Sequence, residues 1–308
     1  MSEAASVNYK ASLTRLALFA LFLLVACPAV QGEVALTSTQ VPFGYDVLPN
    51  VTYVRRPAWD GKLDLFVPSD RTSSTPVLVW FHGGGWTRSS KEEELLYFLP
   101  YLERRWAVIN VEYRLAGVAK APAAVSDGLC AMRWLAKHAQ DYKLQLDRLV
   151  VSGISAGGGM ALIVGTTPAS SPLARDCGTD AEFGGLPVPR VIVNWFGPSD
   201  LLDVIDGPHR HAQIATWFDG VPNRLEVART LSAVKCIHSP TPAVITIHGE
   251  HDQDIPYAQS VALHRVLDRV GAPNELVKID AGHGDFTPAQ ASYAYGRVFR
   301  FIEERFKK

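Results

Sequence analysis

The sequence predicts an α/β fold: a mostly parallel, twisted sheet with helices on both faces and a small lid. Three observations predict it. Short runs of branched apolar residues recur along the 308-residue chain, and most are followed by a segment of helical periodicity. Those runs are apolar at successive positions instead of alternating, as strands buried on both faces are. Two of them run directly into glycine clusters, His82-Gly83-Gly84-Gly85 and Gly153-Ile154-Ser155-Ala156-Gly157, where the backbone has room to turn sharply.

Residues 1–32 stand apart. Lys10 and Arg15 precede an apolar run over 16–26, too short to span a bilayer comfortably and without the polar face of a core helix. The pattern is that of an export signal. Two cleavage routes stay open. Leu24-Val25-Ala26-Cys27 resembles a bacterial lipobox, which would leave a lipidated Cys27 and the one expected membrane attachment. Val30-Gln31-Gly32 suits an ordinary signal peptidase instead. Either route places residues 33–308 outside the cytoplasm: periplasmic, extracellular or lipid-anchored. Disulfides persist there. Cys130 falls in an apolar helical pattern and reads as core, whereas Cys177 and Cys236 sit in loop-like sequence and can pair.

Residues 33–60, rich in Pro and Thr, read as irregular. An alternating strand follows over 63–67, a polar turn over 68–76 and a buried strand over 77–81 that ends at His82. Residues 92–105 read as a helix, 107–113 as a strand and 122–140 as a helix with Ala124, Leu129, Met132, Leu135 and Ala136 on one face. The strand over 149–152 leads through Ser155 into a helix beginning near Met160. A loop spans 168–189, and a strand covers 191–196. Patterning weakens over 199–240, which is the expected lid. Strands over 243–249 and 275–279, with helices over 258–270 and 288–306, complete a single catalytic domain over 33–308. A formal net charge of −1 on an ordinary composition gives no reason to expect a nucleic-acid partner.

Strand, G-x-S-x-G, helix is the context in which that pattern presents a nucleophile. A serine hydroxyl needs a base within hydrogen-bond reach, and the base needs a carboxylate to orient it. His283 follows the last strand in a loop with glycines on both sides and is the candidate base. His138 and His264 fall in helical patterns, and the His209–His211 pair lacks the Cys or carboxylate cluster a metal site needs. The acid comes from His248-Gly249-Glu250-His251-Asp252-Gln253-Asp254. Asp252 is preferred, Asp254 is the runner-up, and Glu250 and His251 read as loop residues. The oxyanion donors are expected from the backbone of Gly84, Gly85 and Ala156, with His82 pinning the loop. A phosphate-binding reading of Gly83–Gly85 fails because Trp86-Thr87-Arg88 supplies no Lys-Ser/Thr pair. Trp86, Trp195, Phe196, Trp217 and Phe218 are candidate walls of an acyl or aryl pocket.

Phe81 to Trp86, Glu112-Tyr113-Arg114-Leu115, Gly153 to Gly158 and His248 to Pro256, in that order, resemble the α/β-hydrolase esterases with an H-G-G-G oxyanion loop. The likeness runs from Tyr53 to Phe306. Arg114-Leu115-Ala116 is followed by Gly117-Val118, and the acid motif is His-Gly-x-x-Asp, so the chain departs from the hormone-sensitive-lipase branch. It looks more like the feruloyl and acetyl-xylan esterase type. The resemblance implies a serine carboxylic-ester hydrolase working through an acyl-enzyme, with no metal or organic cofactor. Its substrates would be small or carbohydrate-linked esters with short-chain or aromatic acyl groups. An amidase or peptidase on the same fold, and an inactive binding protein, are the alternatives.

Overall fold

The computed structural model describes residues 39–41, 44–70, 75–177 and 185–307. The chain divides into two units, Met1–Ala35 and Leu36–Lys308. The first, which holds the expected export signal and Cys27, lies outside the described residues. Among the described residues no helix is long and apolar enough to cross a membrane.

Among the described residues nine strands form one sheet: β1 (Thr39–Val41), β2 (Tyr45–Arg56), β3 (Trp59–Pro68), β4 (Thr75–Phe81), β5 (Ala107–Val111), β6 (Leu144–Ile154), β7 (Val191–Trp195), β8 (Ala243–Gly249) and β9 (Asn274–Ile279). Their spatial order is β1-β2-β3-β5-β4-β6-β7-β8-β9. From β5 to β9 all neighbours are parallel, and β1 to β3 form an antiparallel edge. The strands β5, β7 and β8 are buried at every position, which is why their sequences do not alternate.

β2 corrects the irregular reading of residues 33–60. Tyr45, Leu48, Val51 and Tyr53 are its buried positions, and register shifts between Leu48 and Val51 and between Thr52 and Val54 break the two-residue period. A bulged strand hides its alternation, so sequence periodicity misses it.

The helices are α1 (Leu95–Leu102), α2 (Ala123–His138), α3 (Ala156–Thr166), α4 (Pro172–Arg175), α5 (Leu201–Asp206), α6 (Ala212–Trp217), α7 (Arg224–Thr230), α8 (Ala233–Cys236), α9 (Tyr257–Arg269) and α10 (Pro288–Phe306). Successive side chains of β4 point to opposite faces. Val77, Val79 and Phe81 join the core under α2, α3 and α9, while Leu78 and Trp80 join the core under α1 and α10. Residues 199–240 become four short helices, α5 to α8.

All three described thiols are free. Cys236 Sγ faces the carbonyl of Thr230 at 3.3 Å, and Cys177 Sγ faces the carbonyl of Ala174 at 3.7 Å. Cys177 and Cys236 therefore do not pair. Their loop-like sequence gave each a free choice that the fold removes by turning them to different neighbours.

Candidate active site

Loops leaving the carboxyl ends of β4, β6, β8 and β9 converge at one edge of the sheet, where α/β folds place their ligands. After β6 the chain turns within a few residues. Ser155 adopts φ 51° and ψ −121°, a conformation unfavourable for any residue with a Cβ, and caps the N-terminus of α3. Its N–H is held by the Trp195 carbonyl at 2.9 Å. The flanking glycines are required by crowding: a Cβ on Gly157 would sit 2.0 Å from the Phe81 carbonyl oxygen, and one on Gly153 2.3 Å from it. Glycines weaken a helix by about 1 kcal/mol each. Here their loss would block the approach of α3 to β4.

The His283 ring stands between two partners. Its Nε2 lies 2.9 Å from Ser155 Oγ, and its Nδ1 lies 2.7 Å from Asp252 Oδ2. The carboxylate accepts at Nδ1, so that nitrogen carries the hydrogen and Nε2 is left to accept from the serine hydroxyl. Phe196 meets the His283 ring edge-to-face at 4.9 Å, which fixes its plane.

Asp252 is fully engaged. Oδ1 accepts from the N–H groups of Asp254 at 2.9 Å and Ile255 at 2.8 Å. Oδ2 faces His283 and also His248 Nε2, at 3.1 Å. Burial pushes the carboxyl's pKa up, but hydrogen bonds from His248 and His283 outweigh it and hold the group well below the usual carboxylate range. Asp254 points elsewhere: its carboxylate faces His211 at 3.7 Å. Glu250 pairs with Lys278 at 2.5 Å, and His251 pairs with Asp280 at 2.9 Å, both at the surface. His209 pairs with Asp203 at 3.0 Å.

Above Ser155 runs the glycine loop. Gly84 and Gly85 take φ 100° and 61°. The Gly83 N–H is already donated to Glu94 Oε1 at 2.6 Å, which leaves Gly84, Gly85 and Ala156 as the backbone donors to consider. His82 Nδ1 donates to the Gly83 carbonyl at 2.8 Å, and its ring stacks on Tyr113, whose hydroxyl donates to the His82 carbonyl at 2.7 Å. A cavity of about 180 Å³ joins this loop to Ser155 and His283.

A family model, BD-FAE, matches residues 63–267. The chain belongs to the BD-FAE family. Of curated proteins, it is 33% identical over 172 residues to the carboxylic ester hydrolase LipN of Mycobacterium tuberculosis, covering 55% of this chain and 39% of that one. The chain thus spans less than half of LipN. A bifunctional GH43-CE protein of Bacteroides eggerthii superposes with a TM-score of 0.72 at 25% identity, over 85% of this chain and 38% of that one. The thermophilic esterase Est2 of Thermogutta terrifontis superposes with a TM-score of 0.68 at 23% identity, over 85% and 91%. The fold is that of the α/β hydrolases.

In this BD-FAE chain the cavity walls differ from the aromatic set expected from sequence. Of those five residues Phe196 lines the cavity. Trp86 and Trp217 stack on each other at 4.6 Å in the core, with Phe218 against Trp217, and Trp195 packs on Tyr295 under α10. These four are not pocket walls, because each is consumed by interior packing. The walls come instead from Arg88, Glu94, Tyr97, Ile154, Gln213 and Ile214, among others. Gln213, on α6, donates to the Gly84 carbonyl at 2.9 Å and to Thr87 Oγ1 at 2.7 Å, tying residues 199–240 to the glycine loop.

Sequence reasoning missed three residues here. His248 carries a readable signal, a polar side chain inside the otherwise apolar run of β8. It is wholly buried between Asp252, the Ile255 carbonyl and Ser260. Gln213 lies in the weakly patterned stretch and gives no signal. Glu94 is one of three consecutive glutamates, and only the fold turns it inward, where Oε2 accepts from Trp80 Nε1 at 3.0 Å.

Burial raises the Glu94 pKa to about 7, against the opposing pull of the Gly83 N–H, His82 and Trp80. An acid whose folded pKa is raised binds more protons folded than unfolded, so its contribution favours the fold at low pH and fades as pH rises through about 7. That is worth roughly 3 kcal/mol between pH 5 and 8. Glu94→Gln is expected to lose this dependence. Thermal melts at pH 5 and pH 8 should show the wild-type Tm falling several degrees further than the variant's. Parallel slopes for the two proteins would contradict the raised pKa.

Proposed function

We propose that this protein is a serine carboxylic-ester hydrolase that works through an acyl-enzyme. The observation that carries this reading is the hydrogen-bonded line from Ser155 through His283 to Asp252 at the floor of a cavity roofed by Gly84 and Gly85. Ser155 Oγ attacks the ester carbonyl while His283 Nε2 takes its proton. The imidazolium so formed is stabilised by Asp252, which stays ionised. The tetrahedral oxyanion is met by the backbone N–H groups of Gly84, Gly85 and Ala156, the last at the positive end of α3. His283 then returns its proton to the departing alkoxide, and water repeats the sequence to release the acid. The LipN relative and membership of the BD-FAE family support ester hydrolysis.

The substrate class we infer is an ester of a short or aromatic acid with a small or carbohydrate-linked alcohol. A cavity of about 180 Å³ suits a short acyl group better than a fatty chain. Arg88, His211, Gln213 and Asp254 on its rim suit an alcohol rich in hydroxyls. The N-terminal pattern of Lys10, Arg15 and the apolar run supports export, either with a lipid anchor at Cys27 or with ordinary cleavage near Gly32.

A substrate panel tests the reading: p-nitrophenyl acetate, butyrate and octanoate, methyl ferulate, acetylated xylan and aminoacyl anilides. The kcat/KM for acetate should exceed that for octanoate at least about tenfold. Preference for octanoate would remove the short-acyl reading. Faster anilide than ester cleavage would replace the esterase with an amidase.

A further inference from the structure

A second piece of chemistry lies on the far side of α2. Cys130 is buried on that helix, and Cys177, half-buried two residues beyond α4, packs against the core cluster that holds Cys130, each thiol being the strongest influence on the other's pKa. The segment bearing Cys177 is fastened to α2 and β2. Arg133 Nε donates to the Ala174 carbonyl at 2.7 Å. Arg56 donates to the Asp176 carbonyl at 3.1 Å and to its carboxylate at 2.7 Å, and reaches Cys130 Sγ at 3.5 Å. The Arg56 guanidinium thus bridges Cys130 to the residue beside Cys177, and Arg133 fastens the same segment to α2.

We propose that Cys130 and Cys177 are a disulfide-forming pair, oxidised by exchange with a small anionic disulfide such as glutathione disulfide entering at Cys177. A surface cavity of about 420 Å³ gives the entry: Cys177 lines it together with Arg55, Arg56, Trp134, Lys137 and His138, while Cys130 does not. Its cationic side chains outnumber its one acid, Asp176, and suit an anionic reagent. The Cys130 thiol, then the charges of Arg133 and Arg56, pull the Cys177 thiol's pKa down, and the Cys177 thiol with burial pushes Cys130 up. Because Cys177 lines the entry cavity and Cys130 does not, Cys177 is the attacking thiolate. It forms a mixed disulfide and expels one glutathione thiolate. Cys130 gives up its proton and attacks the Cys177 sulfur, expelling the second. Two thiols and one glutathione disulfide become one protein disulfide and two glutathiones.

The bond would close a loop containing β6, Ser155 and α3. A cross-link there restricts the unfolded chain without touching the hydrogen bonds of His283, so stability should rise while turnover stays unchanged. To test this, the full chain is treated with glutathione disulfide, then denatured, alkylated and mapped as peptides. We expect a Cys130–Cys177 linked peptide, a Tm at least about 5 °C above the reduced protein, and equal kcat. Cys177→Ser should show no Tm difference between the two treatments. Alkylation of both thiols, glutathione retained on Cys177 beside a free Cys130, or a bridge to Cys27 or Cys236 would overturn the proposal. So would an equal Tm rise in Cys177→Ser.

Discussion

Asp252→Asn is expected to lower kcat about 10⁴-fold while leaving the protein folded. The reason lies in the four groups around this carboxylate. Oδ1 accepts two backbone N–H groups, from Asp254 and Ile255, at 2.9 and 2.8 Å. An asparagine at 252 must place its carbonyl oxygen there, because its amide nitrogen would face two donors. The nitrogen is then forced onto the Oδ2 position, against His283 Nδ1 and His248 Nε2. His283 responds by accepting at Nδ1 and carrying its hydrogen on Nε2, where it can no longer take a proton from Ser155. The loss is one of tautomer, not of position. A kcat within tenfold of wild type on p-nitrophenyl acetate would refute the role given to Asp252. The charge itself also has a signature. Because the folded pKa is depressed, the group's stabilisation is full above the ordinary carboxylate range and is lost as pH falls from that range down through the lower folded value. The stability gap between wild type and Asp252→Asn should therefore narrow below about pH 4.

The same residue marks how far the sequence could be read. The order of nucleophile, acid and histidine loops was legible because each follows a buried apolar strand and is flagged by glycine. The choice of Asp252 over Asp254 rested on the H-G-x-x-D spacing alone. The two lie in one turn, and only its path directs Asp252 to His283 and Asp254 to His211. The sheet was legible where both faces are covered and illegible at β2, where bulges erase the period. The aromatic residues misled for a related reason. Trp86, Trp195, Trp217 and Phe218 lie beside catalytic motifs or in the expected lid, yet sequence proximity says nothing of which way a large ring turns. Each turned inward, because an interior that can bury such a ring gains roughly 2–3 kcal/mol from doing so. The cavity was left to Glu94, Tyr97, Gln213 and other residues whose positions depend on long-range packing.

Ser155→Ala is expected to abolish turnover, with kcat reduced about 10⁶-fold, and to leave no residue that an organophosphate can label. Removing the hydroxyl deletes the bond-forming atom, while His283, Asp252 and the glycine loop stay in place. A small residual rate over water should survive from those donors alone. Stability separates this from a trivial loss of fold. At φ 51° and ψ −121° any residue with a Cβ is strained, so alanine keeps the strain that serine carries. Glycine releases it, and strain of this kind is worth about 1–3 kcal/mol, less the roughly 0.5–1 kcal/mol that glycine costs in unfolded-state freedom. Ser155→Gly should therefore melt above Ser155→Ala, although both are inactive. If Ser155→Gly melts below Ser155→Ala, the strained turn is not where this protein stores the cost of exposing its nucleophile. If Ser155→Ala retains turnover within a hundredfold of wild type, the nucleophile is another residue and the acyl-enzyme reading fails with it.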